Sequence, residues 1–306
     1  MVSFRFHLVS LVAVFMALGV GVLAGTTVIN RGIVAGLERQ TAGLAQRTEE
    51  AEAELDRLRA EVETWGGFGE EVTDTLLAGR LNGTRVLLIT QEGTDDASID
   101  GVLRAMDLAS DETTVGPLIV TGRMALEGES DRADLAALLG LDPGTEPEAL
   151  QAEAAARLAE RLSFGPSGSD ILEQLREAGF LQDEGPGLTD AILRDIGQPG
   201  QAVVVLAGGP AASRLQPERF LVPLVADLAT DGSMVAAGEP ALGEEQEPAF
   251  VTLLRSGDVS TAVATQDNVD QMPGQIGLVL ALQDLLRGIP GHYGVKDGAA
   301  QTIPEV

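Results

Sequence analysis

Thr84-Arg85-Val86-Leu87-Leu88-Ile89-Thr90 is the stretch on which the fold turns. Its apolar residues run on without alternating with polar ones, over the length of one strand. That pattern belongs to a strand buried on both faces. A loop of Gly, Asp and Thr follows, and then a helical stretch from about Ala97 to Leu108. Strand, loop and helix repeat downstream. Further strands are expected at Thr114–Thr121, Gln201–Leu206, Ser233–Ala237 and Thr261–Thr265, with helices near Leu215–Ala229 and Gly274–Leu286. Buried apolar strands alternating with helices predict an α/β domain, a mainly parallel, Rossmann-like sheet with helices on both faces. About 80 residues between the second and third of these strands read as helices only (Asp131–Leu139, Pro147–Leu162, Ser169–Ala178 and Leu188–Ile196), a helical insertion on the sheet.

Upstream of the first strand the pattern changes twice. Leu8 to Ile29 is free of formal charge. As a helix it is about 33 Å long, enough to cross a bilayer core of about 30 Å. Arg5, His7 and the amino terminus precede it, and Arg31 and Arg39 follow. The short amino-terminal flank predicts an uncleaved signal anchor with the bulk of the chain outside the cytoplasm. The rival is a signal peptide cleaved after Val22-Leu23-Ala24. Ala17, Gly21 and Gly25 form a stripe of small residues that would let two membrane helices pack closely.

From Val34 to Trp65 the apolar spacing is heptad-like. Val34, Leu37, Thr41, Leu44, Thr48, Ala51, Leu55, Leu58, Val62 and Trp65 alternate three and four residues apart, as a and d positions do. Val34, Thr41, Thr48 and Val62 are β-branched residues at a, and Leu37, Leu44 and Leu58 sit at d. This favours a parallel dimer. Arg47 at g would face Glu52 at e of a partner, and Glu54 at g would face Arg59 at e. The predicted coil is a stalk about 48 Å long, joining a second copy or a coiled-coil hetero-partner. Gly66-Gly67-Phe68-Gly69 is expected to end it, with a short helix over Glu70–Leu81 inside the linker. The domain plan is thus a membrane anchor over 1–31, coiled coil over 32–66, linker over 67–83, extracytoplasmic α/β domain over 84–295 and tail over 296–306.

Composition narrows the function. The formal net charge is -27, which repels nucleic acid and anionic lipid surfaces. Lys296 is the sole lysine, against 47 Asp and Glu. Cysteine is absent, so disulfides, thiolate metal sites and a Cys nucleophile are excluded. Gln91-Glu92-Gly93-Thr94 follows the first strand in place of G-x-G-x-x-G, and no Walker or G-x-S-x-G sequence occurs. His292 is the one imidazole of the outer domain, in a Gly-rich stretch read as a packed turn. The six Met are scattered, unlike a soft Cu(I) site. Asp267-Asn268-x-Asp270 reads as an Asx-capped strand end rather than a calcium loop, and Glu244-Glu245-x-Glu247 as a solvated acidic loop. No catalytic, cofactor or metal residue is assigned, and the chain is not expected to be an enzyme.

Two stretches carry a family resemblance. Phe4 to Thr27 (F-R-F-H-L-V-S-L-V-A-V-F-M-A-L-G-V-G-V-L-A-G-T-T) is one. Val263 to Leu282 (V-A-T-Q-D-N-V-D-Q-M-P-G-Q-I-G-L-V-L-A-L), followed by G-H-Y-G at Gly291–Gly294, is the other. Together with the layout between them they resemble the actinobacterial MctB family, often called copper transporters. The resemblance implies an envelope protein linked to copper efflux or copper homeostasis, and in mycobacteria to an outer-membrane pore. A related SteB-like branch in corynebacteria implies a role in cell separation through a coiled coil and a membrane partner.

Overall fold

The structure is a computed structural model that describes residues 4–112, 114–183, 189–198, 200–208, 214–241 and 250–305. It divides into two compact units, 1–67 and 68–306.

The first unit lies on α1 (Phe4–Leu77). Phe6–Gly25 has a mean hydropathy of 2.5 and is long and apolar enough to cross a membrane. Leu44, Leu55, Leu58 and Val62 stand more than two-fifths exposed. Charged residues on the other faces pair locally, as in Arg57–Glu54 at 3.1 Å and Arg59–Asp56 at 3.3 Å. The helix does not stop at Gly66–Gly69, where a linker over 67–83 was expected to begin; it continues to Leu77. A glycine inside a helix costs only about 1 kcal/mol relative to alanine, and the last turns are anchored by Leu77, which is wholly buried in the second unit.

The second unit is built on a seven-stranded sheet: β1 (Arg85–Gln91), β2 (Val115–Val120), β3 (Leu181–Asp183), β4 (Gln201–Leu206), β5 (Met234–Glu239), β6 (Ala264–Asp267) and β7 (His292–Tyr293). The order across the sheet is β3-β2-β1-β4-β5-β6-β7. All pairs are parallel except β2 with β3. Helices α2 (Asp96–Ala109), α3 (Glu129–Leu139), α4 (Pro147–Phe164), α5 (Ile171–Glu177), α6 (Asp190–Asp195), α7 (Leu221–Thr230), α8 (Phe250–Ser256) and α9 (Met272–Leu286) complete it. The parallel α/β architecture expected from Thr84–Thr90 is therefore present.

Period-2 geometry explains how one apolar run serves two cores. Leu87 and Ile89 of β1 join the cluster formed with α3, α4, α5, α7 and α8. Val86 and Leu88 join the opposite cluster, with α2, α9 and the end of α1. Local signals set the helix ends. The Asp95 carboxylate accepts from Ser98 N at 2.8 Å and starts α2. Asp170 accepts from Leu172 N at 3.0 Å to start α5 and also pairs with buried Arg161 at 2.8 Å. Gly140, at φ 67°, ends α3.

Three elements depart from the sequence reading. The region between β2 and β4 is not wholly helical, because Leu181–Asp183 adds an antiparallel edge strand. Helix α8 was not anticipated. His292-Tyr293, read as a turn, pairs with Thr265 and Gln266 as the opposite edge strand. The segment beyond it, read as a tail, is tied back: Tyr293 bridges Gln301, and Pro304 is buried.

Candidate functional site

The carboxyl edge of the sheet gathers the charges that the fold encloses. β5 ends on Glu239 and β6 on Asp267, and the two are register partners across the parallel pair. Both are buried, at 3% and 0% exposure. Two adjacent buried carboxylates repel each other and lose their hydration, which costs several kcal/mol per ion in an uncompensated state. Each has its own cation. Arg255, from α8, meets Asp267 at 2.9 Å. Lys296, the sole lysine, meets Glu239 at 2.7 Å.

Backbone groups complete the coordination of both carboxylates. Asp267 Oδ1 accepts from Val295 N, and Oδ2 accepts from Lys296 N at 3.0 Å. Glu239 Oε2 accepts from Val251 N at 3.0 Å, in the first turn of α8. Lys296 Nζ also donates to the Pro240 carbonyl at 2.9 Å. Arg255 spends its remaining donors on Thr265 Oγ1 at 3.0 Å, Tyr293 O at 2.6 Å and Asp297 O at 3.1 Å. The cluster thus ties β5, β6, α8 and the 294–305 segment together, with a protein donor on every oxygen of both carboxylates.

His292 closes the network. Its Nδ1 lies 3.0 Å from Thr265 Oγ1. That hydroxyl also accepts from Arg255 Nε, and it keeps both a proton and a second lone pair for the imidazole, so the direction of this bond follows the ring's tautomer. Burial, and next the charge of Arg255, lower the His292 pKa, partly offset by a hydrogen bond to the Ser260 backbone. Burial also raises the Tyr293 phenol, reinforced by Asp284 and Glu305.

The glycines of the carboxy-terminal motif have a physical reason here. Gly294 sits at φ 130°, and a Cβ there would strike the Asp267 carboxyl group. A Cβ at Gly274 would strike the Asn268 carbonyl, and one at Gly277 the Gln266 amide. Asn268, at φ 63°, makes the turn out of β6, and its Oδ1 accepts from Gln266 Nε2 at 2.7 Å. Asp270 accepts from Ala241 N at 2.6 Å. The acidic pair 267 and 270 is therefore committed to internal donors. Among the described residues no group of three or more His, Asp or Glu could hold a metal ion.

The switch point of a doubly wound sheet lies where strand order reverses, here between β1 and β4. On its described side the Glu92 carboxylate accepts from Gly122 N, and Asp95 occupies the start of α2. Carboxylates in these places oppose a phosphate. Residues 209–213, which follow β4, lie outside the described ones. At the opposite, amino end of β1 and β4 an open cavity of about 520 Å³ is lined by Arg85, Glu112, Asp195 and Gln201 among others. The thioethers are dispersed: Met124 is buried in one core and Met106 in the other, on opposite faces of the sheet.

Of the residues expected to form a coiled-coil seam, Leu44, Thr48, Ala51, Leu55, Leu58, Val62 and Trp65 lie exposed on α1. The side chains of Val34, Leu37 and Thr41 lie outside those described. Ala17, Gly21 and Gly25 all fall within Phe6–Gly25, and no atom would meet a Cβ at either glycine. The residues that sequence reasoning missed are Glu239, Arg255 and Lys296. The signal available was the isolation of a single lysine in so acidic a chain. The acidic loop around Glu244 lies outside the described residues.

The family model described as "Copper transport outer membrane protein, MctB" matches residues 1–304. The chain belongs to the MctB family. "Copper transporter MctB" of Mycobacterium tuberculosis (strain ATCC 25618 / H37Rv) is 26% identical over 324 aligned positions covering 98% of each chain. The protein of that name from Mycobacterium leprae (strain TN) is 25% identical with full coverage of both. Val263–Gly294 is the segment that builds β6, α9 and β7 and supplies Asp267 to the buried ionic cluster.

Proposed function

We propose that the protein acts in copper homeostasis at the cell envelope. It is anchored by Phe6–Gly25, carries most of its chain outside the cytoplasm, and handles copper through an assembly or partner rather than through a ligand set of its own. The observation that carries this reading is the match to the copper-transport family along essentially the whole chain. The indirect role is favoured by the absence of cysteine and by the placement of Met106 and Met124 in separate cores. Copper(I) prefers gathered thiolate, thioether and imidazole ligands. The sheet also argues for an indirect role. Its strands are two to seven residues long and its core is covered by helices, whereas a membrane barrel uses longer alternating strands of about ten residues. The proposal assigns the chain no catalysis, since His292 is engaged with Thr265 and the Ser260 backbone.

The test is cell-associated copper in a deletion strain grown with modest added copper. A several-fold rise reversed by the wild-type gene is expected. Unchanged copper would overturn the reading. The second reading, a non-catalytic scaffold in cell separation or wall assembly, is favoured by the exposed apolar stripe on α1. In that case the deletion strain has normal copper and forms chained or misdivided cells.

A further inference from the structure

We infer that two copies of this chain pair in parallel and in register along Leu44–Val62 of α1, and that the pairing stops at Gly69, where the same helix stripe turns to its own domain. The occupant is chosen by pattern and charge. Leu44, Leu55, Leu58 and Val62 are 57%, 51%, 45% and 71% exposed although they fall at a and d positions. An isolated helix gains nothing by holding such residues in one stripe, whereas a second identical stripe buries both. Arg47 and Glu54 at g meet Glu52 and Arg59 at e of a parallel twin, with opposite charges at both contacts. Within one chain Glu54 and Arg59 make only exposed pairs, with Arg57 and Asp56. Such pairs exchange readily.

The stopping point comes from the second unit. Because α1 runs unbroken to Leu77, the heptad register extends to Gly69 at a, Val72 at d and Leu76 at a. At Gly69 a Cβ would collide with Met272 Sδ, at the start of α9. Leu76 packs on the core shared with α9, and Leu77 is fully buried there. The stripe is therefore committed to its own domain from Gly69 onward. A glycine at that a position admits the Met272 side chain where a seam would need a knob.

The chain lacks cysteine, so single cysteines report the pairing directly. Full-length protein in native membranes would carry Ala51→Cys, Leu58→Cys, Ala53→Cys or Val72→Cys and be oxidised briefly. Ala51 and Leu58 are d positions, and Ala53 lies at f, on the outer face. Ala51→Cys and Ala53→Cys are the same substitution on opposite faces of one helix, each adding a single sulfur. The expected result is a band of twice the chain mass for Ala51→Cys and for Leu58→Cys, at least about fivefold stronger than for Ala53→Cys or Val72→Cys. A cross-link at only one of the two d positions would mean antiparallel pairing and overturn the inference. So would equal cross-linking at Ala53, no band at either d position, or a band whose mass requires a different protein. A strong Val72→Cys band would overturn the stopping point.

Discussion

The α1 stripe and the carboxyl edge of the sheet treat their costly groups in opposite ways. Leu55, Leu58 and Val62 carry apolar surface that one chain leaves in solvent. Glu239 and Asp267 carry charges withdrawn from solvent, and one chain satisfies them completely, down to single backbone N–H groups. The first region leaves apolar side chains exposed, and in the second every carboxylate oxygen has a protein donor. The difference teaches where to look for partners in this protein. The most polar cluster, which has the residue types of an active site, has no free valence. The plainest region, a helix of Leu, Ala, Glu and Arg, is where a stripe of apolar side chains stands exposed.

The sharpest way to break the comparison is at Arg255. Arg255→Met should leave Asp267 buried beside Glu239 without its cation. A loss of about 3–5 kcal/mol is expected by analogy with other buried pairs cut on one side, read by denaturant unfolding of the second unit. Gly294→Ala follows. It forces a side chain into the Asp267 carboxyl at φ 130°, and about 2–4 kcal/mol should be lost with the same readout. Lys296→Met should cost less, about 1–3 kcal/mol, because Lys296 keeps a fifth of its side chain in solvent. In the opposite direction, Leu55→Asp with Leu58→Asp should change the unfolding of the second unit by less than about 0.5 kcal/mol. Light scattering of the full chain in detergent should show that double variant as single copies.

The smallest effect is the pH dependence from His292. Its folded-state pKa is depressed, so the unfolded chain takes up the proton first as pH falls. Its contribution is complete above the unfolded value of about 6.5 and is lost as pH drops from there through the folded value. His292→Asn keeps an acceptor near Thr265 and cannot titrate. Its melting temperature should therefore fall less between pH 7 and pH 5 than that of the wild type.

Much of this architecture was legible beforehand because some elements carry their own signal. Val86–Ile89 and Val203–Val205 are short continuous apolar runs that fit strands covered on both sides, and the charge-free run that includes Phe15 and Val20 is long and apolar enough to cross a membrane. β3 and β7 were not legible because three residues, Leu181-Gln182-Asp183, and two, His292-Tyr293, contain no period at all; their neighbours in the sheet make them strands. Helix α1 runs on through Gly66–Gly69, where the heptads are expected to end, to Leu77, which the second unit buries. The ionic cluster joins residues 10 to 57 positions apart, from Arg255 with Thr265 to Lys296 with Glu239. No local pattern encodes such a meeting. The spacing of Gly291 and Gly294 around His292-Tyr293 hinted at close packing without naming what was packed.

Lys296 makes the molecule its own reporter. It supplies the only side-chain amine in the sequence, and in the folded chain that amine is held between Glu239 and the Pro240 carbonyl. Reagents that acylate amines, or fixatives that bridge them, will react slowly on the intact domain, where the Lys296 amine is tied to Glu239 and the Pro240 carbonyl with a fifth of its side chain in solvent. Any treatment that opens the carboxyl edge of the sheet exposes one new target. A mass shift of a single acyl group at Lys296 would therefore count unfolded domains one by one, in a cell envelope as readily as in a cuvette.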